Sequence, residues 1–117
     1  MKYVLFPADS LAKGSMRAVS VGGVAVVVVR ASDGGYYALR DVCSHQGARL
    51  SEGRLEAPVV ADGNGGYEVA TDNEVLRCPW HWYEFSLSTG RSLGDPAKTR
   101  VRSYKVEVED GQVTIER

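Results

Sequence analysis

The chain has two cysteines and two histidines, and all four fall in two short segments, Cys43-Ser44-His45 and Cys78-Pro79-Trp80-His81. Thiolates and imidazoles grouped in this way are metal ligands before anything else. A nucleophilic Cys–His pair is the first rival. It needs one of each group and a third that orients the base, and it leaves the second pair without a role. A structural zinc site has the right inventory, but zinc fingers typically keep two cysteines on one element and two histidines on another. Here each segment supplies one of each, as C-x-H and C-x2-H with 32 residues between them (46–77). Two irons bridged by sulfides need two terminal ligands each. If one iron takes both cysteines and the other both histidines, each of two facing loops must give one ligand to each iron. This spacing does that, and a single tetrahedral ion has no need of the alternation.

C-x-H followed at a distance by C-P-x-H resembles the ligand signature of the Rieske iron–sulfur family. The resemblance runs over nearly the whole chain: an early β hairpin, the two ligand segments, then Gly94-Asp95-Pro96-Ala97 and a closing hairpin. It implies one [2Fe-2S] cluster per chain. Cys43 and Cys78 would bind the inner iron through sulfur, and His45 and His81 the outer iron through a ring nitrogen. The remaining N–H group of each histidine would face solvent. Imidazoles in place of anionic thiolates lower the negative charge on the cluster and ease uptake of an electron. The resemblance implies a one-electron carrier, most like the Rieske-type ferredoxins, working between a flavin reductase and an oxygenase. It implies no catalytic residue on this chain. Rieske small subunits of larger oxidoreductases, such as nitrite reductases, are similar too. A zinc-stabilised β interaction module is the reading without iron.

Departures from the family pattern carry information. High-potential respiratory members have a further cysteine in each ligand segment, tied as a disulfide; Ala48 and Trp80 stand at those positions here. They also place a serine and a tyrosine after the second histidine, whose hydroxyls bond the cluster sulfurs; Tyr83 and Phe85 stand there. Fewer hydrogen bonds to sulfur stabilise the reduced cluster less, which predicts a potential near the bottom of the family range, about −150 mV. Trp82 replaces the usual glycine after the second histidine, where glycine allows close approach and positive φ. Pro79 stiffens the loop without donating a hydrogen bond. Trp80, Trp82, Tyr83 and Phe85 form an aromatic surround, with Phe85 expected in the core and Trp80 or Trp82 exposed beside His81. Gly94-Asp95-Pro96-Ala97 resembles the loop that covers the cluster from a third side.

Strands must position these loops. Residues 19–26 are two β-rich runs joined by Gly22-Gly23, a hairpin signature. The run continues to residue 29 as unbroken small apolar residues, which predicts a strand buried on both faces. Asp33-Gly34-Gly35 turns the chain into a strand at 36–39. Residues 101–108 and 112–116, joined by Asp110-Gly111, form the closing hairpin. Strands are also expected at 74–77 and 84–87, flanking the second ligand segment, and a turn at Ser88-Thr89-Gly90. A helical turn is expected only at 9–13, capped by Asp9 or Ser10. The fold class is all-β: an antiparallel sandwich or barrel with a small cluster-binding subdomain of two loops.

With 117 residues the expectation is a single domain, 1–117, whose cluster-binding part spans about 41–97 with an inserted hairpin or loop at 55–73. The net charge of −1 argues against nucleic acid or an anionic membrane as partner. Charge is uneven: residues 55–76 hold five acids and no base, read here as a solvated face. Residues 1–11 have no long apolar region, and the run at 24–29 is too short to span a bilayer. A cytoplasmic protein is expected, with its two cysteines reduced rather than paired.

Overall fold

The structure is a computed structural model. It describes residues 1–42, 49–56, 59–61, 63–69, 74–79, 84–93 and 99–117, and of 59–61 and 67–69 the backbone alone. The strands are β1 (Lys2–Pro7), β2 (Ser15–Val21), β3 (Val24–Arg30), β4 (Tyr36–Arg40), β5 (Arg54–Glu56), β6 (Val59–Ala61), β7 (Tyr67–Val69), β8 (Val75–Arg77), β9 (Glu84–Ser86), β10 (Ser103–Glu109) and β11 (Gln112–Glu116). A six-stranded sheet runs in the order β1-β11-β10-β4-β3-β2, a three-stranded sheet in the order β5-β8-β9, and β6 with β7 forms a separate hairpin. The pairings are antiparallel. The described residues are nearly all in strands and turns, as the β-rich runs and turn residues led one to expect.

Two expected hairpins have the geometry their turn residues permit. Gly22 and Gly23 both take positive φ, 56° and 85°, and Val21 pairs with Val24 across them. Asp110 and Gly111, at 50° and 74°, do the same between Glu109 and Gln112. Two consecutive positive φ values match the twist of the strands on either side.

β3 is the wall between two cores. Side chains of a strand alternate between faces, so a strand with no polar position inside it needs cover on both. Val26 and Val28 join Phe6, Leu11, Val21, Ala38, Val113 and Ile115 in one cluster. Val27 and Val29 join Ala31, Leu39, Leu50, Leu76, Cys78, Phe85, Leu87 and Val101 in the other. The first core lies within the curl of the six-stranded sheet, whose edge strands approach each other. The Arg17 guanidinium on β2 sits 4.4 Å from the centroid of the Phe6 ring on β1, and Arg117 Nη1 donates to the Gly22 carbonyl at 2.9 Å. The second core joins that sheet to β5-β8-β9.

Three local expectations are corrected. No strand was expected at residues 2–7, yet β1 pairs with β11 from Lys2↔Glu116 to Pro7↔Gln112, and Lys2 Nζ reaches Glu109 Oε1 at 2.6 Å. That strand is made by a partner more than a hundred residues away, which no local pattern announces. The turn expected at 9–13 is instead a 3₁₀ turn, Ala8–Ser10, with Pro7 at its cap and no side-chain cap bond. Ser10 Oγ donates back to the Pro7 carbonyl at 2.6 Å, and Leu11 leaves in extended conformation to enter the first core. Burial of Leu11 outweighs continuation of the turn. The strand expected from 101 begins at Ser103, because the Val101 amide bonds the Gly90 carbonyl at 2.8 Å.

Candidate metal centre

The first ligand segment leaves β4 at Arg40 and returns at Arg49, just before the 3₁₀ turn Leu50–Glu52. Its neck is closed by one buried acid. Asp41 is 1% exposed, and its carboxylate accepts from the Ser51 amide and the Ser51 hydroxyl, each at 2.7 Å. The Asp41 amide donates to the Ala25 carbonyl at 2.9 Å, which fixes the neck to β3. A carboxylate held by two donors in this way keeps its charge satisfied when buried. Leu50, fully buried in the second core, pins the returning arm.

The second segment lies between β8 and β9, whose register pairs Arg77 with Glu84. Arg77 Nη2 is 3.7 Å from Glu84 Oε2, and its Nη1 is 3.2 Å from Glu56 Oε2 on β5. β5 follows the first neck and pairs with β8 from Arg54↔Arg77 to Glu56↔Val75. The two ligand segments therefore spring from neighbouring strands of one small sheet. Gly53 makes the approach possible: a Cβ built there would lie 1.9 Å from the Arg77 carbonyl oxygen. Its φ of −83° is open to any residue, so size alone demands glycine.

A third neck adjoins the second. The Leu93 amide donates to the Glu84 carbonyl, and the Ser92 amide to the Thr99 carbonyl, both at 2.9 Å. These bonds clamp the base of residues 94–98 onto β9. Gly90, at φ 74°, carries the chain so close to Val101 that a Cβ would sit 2.1 Å from its carbonyl oxygen.

Of the four expected ligands, Cys78 lies within the described residues; Cys43, His45 and His81 lie outside them, as do Ala48, Trp80, Trp82, Tyr83 and Gly94-Asp95-Pro96-Ala97. Cys78 directly follows β8 and is fully buried, in the cluster that holds Leu50, Leu76 and Phe85. Phe85 is fully buried, as expected of it. A thiol against an apolar wall suits a soft metal, because the metal's own charge offsets that of the thiolate where no water can. The donor set of two thiols and two imidazoles fits an iron–sulfur cluster, and the described scaffold brings the bases of both segments together. Sequence reasoning missed Asp41, Ser51 and Gly53, and it read Gly90 as a turn residue without its close approach to Val101. Asp41 reads as an ordinary charge beside the first segment, and its partner lies ten positions along the chain.

A model of the Rieske [2Fe-2S] domain matches residues 1–105, a span that contains all four positions. The ferredoxin subunit of a 3-phenylpropionate/cinnamic acid dioxygenase from Photorhabdus laumondii is 37% identical over 83 residues, 71% of this chain and 65% of that one. The ferredoxin component of the p-cumate 2,3-dioxygenase system of Pseudomonas putida is 31% identical over 109 residues, 92% of this chain and 79% of that one. Among solved structures, the ferredoxin of carbazole 1,9a-dioxygenase from Nocardioides aromaticivorans matches with a TM-score of 0.78 and 27% identity, covering 98% of this chain and 96% of that one.

Proposed function

Because the chain belongs to the Rieske [2Fe-2S] domain family, we propose that it is a one-electron carrier, a low-potential ferredoxin that supplies an oxygenase-type partner. The observation that carries this reading is the match to dioxygenase ferredoxin components along almost the whole chain, 109 residues in one case. The cluster supplies reversible uptake of one electron when bound. Cys43 and Cys78 would hold one iron and His45 and His81 the other. Residues 1–117 act as one Rieske domain, with the cluster-binding part about 41–97 and an inserted hairpin or loop at 55–73, whose first two residues also belong to β5. The chain itself transforms no substrate; a flavin reductase delivers the electron. No described helix is long and apolar enough to cross a membrane. The reading places the protein in the cytoplasm, where thiols stay reduced.

The test is a redox titration of the anaerobically purified protein, followed through its visible absorption, together with its size on a column. A one-electron midpoint near the low end of the family range, about −150 mV, in a protein that runs alone is the expected result. A protein that leaves the cell only in a fixed complex with a larger oxidoreductase overturns the shuttle and makes the chain a subunit.

A further inference from the structure

Four arginines line up beside the necks of the first and third loops. Arg91 and Arg100 are cross-strand partners in an isolated antiparallel bridge. Arg40 and Arg102 are opposed where β4 meets the approach to β10: the Arg40 amide donates to the Arg102 carbonyl at 2.8 Å, one step beyond the Ser103↔Leu39 pair. Arg100 and Arg102 flank the buried Val101 and so share the opposite, outward face of that extended segment. All four are exposed. A surface hollow of about 400 Å³ is lined by Thr89, Arg100, Val101, Arg102 and Ser103.

Like charges directly opposed across a ladder repel. Among the described residues, no carboxylate lies within 4.0 Å of any of these four guanidinium groups. The Arg102 guanidinium lies over the Tyr104 ring at 5.2 Å. The chain as a whole is slightly acidic, at −1, so this face departs from the rest. Guanidinium forks match carboxylates two bonds at a time. Exposed cations steer an incoming anionic surface and fix its orientation.

We infer that Arg40, Arg91, Arg100 and Arg102 form the docking face for an acidic surface of the electron-transfer partner. The inference rests on the carrier reading, since it is the approach of a redox partner to the loops that the patch guides. Arg40 lies three positions before Cys43, and Arg91 and Arg100 bracket the base of residues 94–98. A partner seated on the patch therefore sits at the neck of the first segment and the base of residues 94–98. A protein is favoured over nucleic acid because the cations form one compact group within a chain of net charge −1.

The experiment uses the cluster-loaded, dithionite-reduced protein and two oxidising proteins of opposite charge, acidic plastocyanin and basic cytochrome c. Each accepts one electron at its metal, copper or haem iron, and the carrier returns to its oxidised state. Two variants share a net charge of −4, three below the native −1: Arg91→Gln/Arg100→Gln/Arg102→Gln in the patch, and Lys2→Gln/Lys13→Gln/Lys105→Gln away from it. The patch variant is expected to slow transfer to plastocyanin about tenfold or more, while the control changes it about twofold at most. The native rate with plastocyanin is expected to fall as salt rises. Amide NMR shifts on adding plastocyanin to the oxidised protein, a readout independent of electron flow, are expected at Arg91, Arg100 and Arg102. Equal slowing in both variants, faster transfer to cytochrome c at low salt, or shifts located elsewhere would overturn the inference. So would a short duplex DNA that binds the patch more tightly than plastocyanin does. A preparation that takes up no electron fails the carrier reading instead, and the NMR arm still judges the patch.

Discussion

At Gly53 a single hydrogen atom separates a workable site from a blocked one. The side chain of any other residue would press on the Arg77 carbonyl, one position before Cys78. Gly53→Ala is therefore predicted to cost about 1–3 kcal/mol or more in urea unfolding through overpacking, and to loosen the cluster, seen as faster bleaching of its visible absorption. Backbone conformation plays no part in that cost, since the φ is ordinary. Asp41→Ala removes two hydrogen bonds from the neck of the first segment and strands the Ser51 amide; a loss of about 2 kcal/mol is expected in the same assay. The ligand positions test the two-iron assignment directly. His81→Cys is predicted to keep a cluster and lower its potential, because a thiolate adds negative charge at the outer iron; an unchanged midpoint in the redox titration would count against that assignment. The candidate ligands stand out in the sequence because the chain offers no other thiol or imidazole. The neck residues do not, because an aspartate and a glycine take their meaning from contacts made only after folding.

At the scale of elements, β3 divides the labour of the fold. Val27 and Val28 are adjacent and both fully buried, yet they face different cores. Truncating either to alanine is expected to cost about 2 kcal/mol, from roughly 0.8 kcal/mol per buried methyl-sized group plus the cavity left behind. Only Val27→Ala opens the core that holds Cys78. It should therefore also change the cluster's EPR line shape, while Val28→Ala leaves the signal alone; identical spectra from both variants would contradict this division. The double burial of β3 could be read from VAVVVVR, since a run without a polar position has no solvent face. β2, β4, β10 and β11 were legible for local reasons too, β-rich runs bounded by turn residues suited to positive φ. β1 was not. Its exposure alternates from Lys2 to Leu5 and slips at the bulge before Phe6, and its place at the sheet edge depends on β11 at the far end of the chain. The turn near residue 9 was misplaced because the burial of Leu11 is a tertiary matter.

At the scale of the whole molecule, a small β protein packs two cores against the two faces of β3, and the second core holds Cys78. A metal centre bound by the folded state and not by the unfolded chain adds its binding free energy to stability. Stripping the cluster under anaerobic conditions should lower the melting temperature. It should also raise hydrogen exchange at residues 49–56 and 75–93 while the β2–β3 and β10–β11 hairpins stay protected; uniform exchange along the chain would show that the cluster does not organise this part. The central claim is tested most directly by an absorption and EPR spectrum of anaerobically purified protein, recorded before and after dithionite. A brown protein that gives a rhombic Rieske-type signal on reduction is the predicted result. A colourless, EPR-silent protein with one zinc per chain would contradict the account and leave a structural β module in place of an electron carrier.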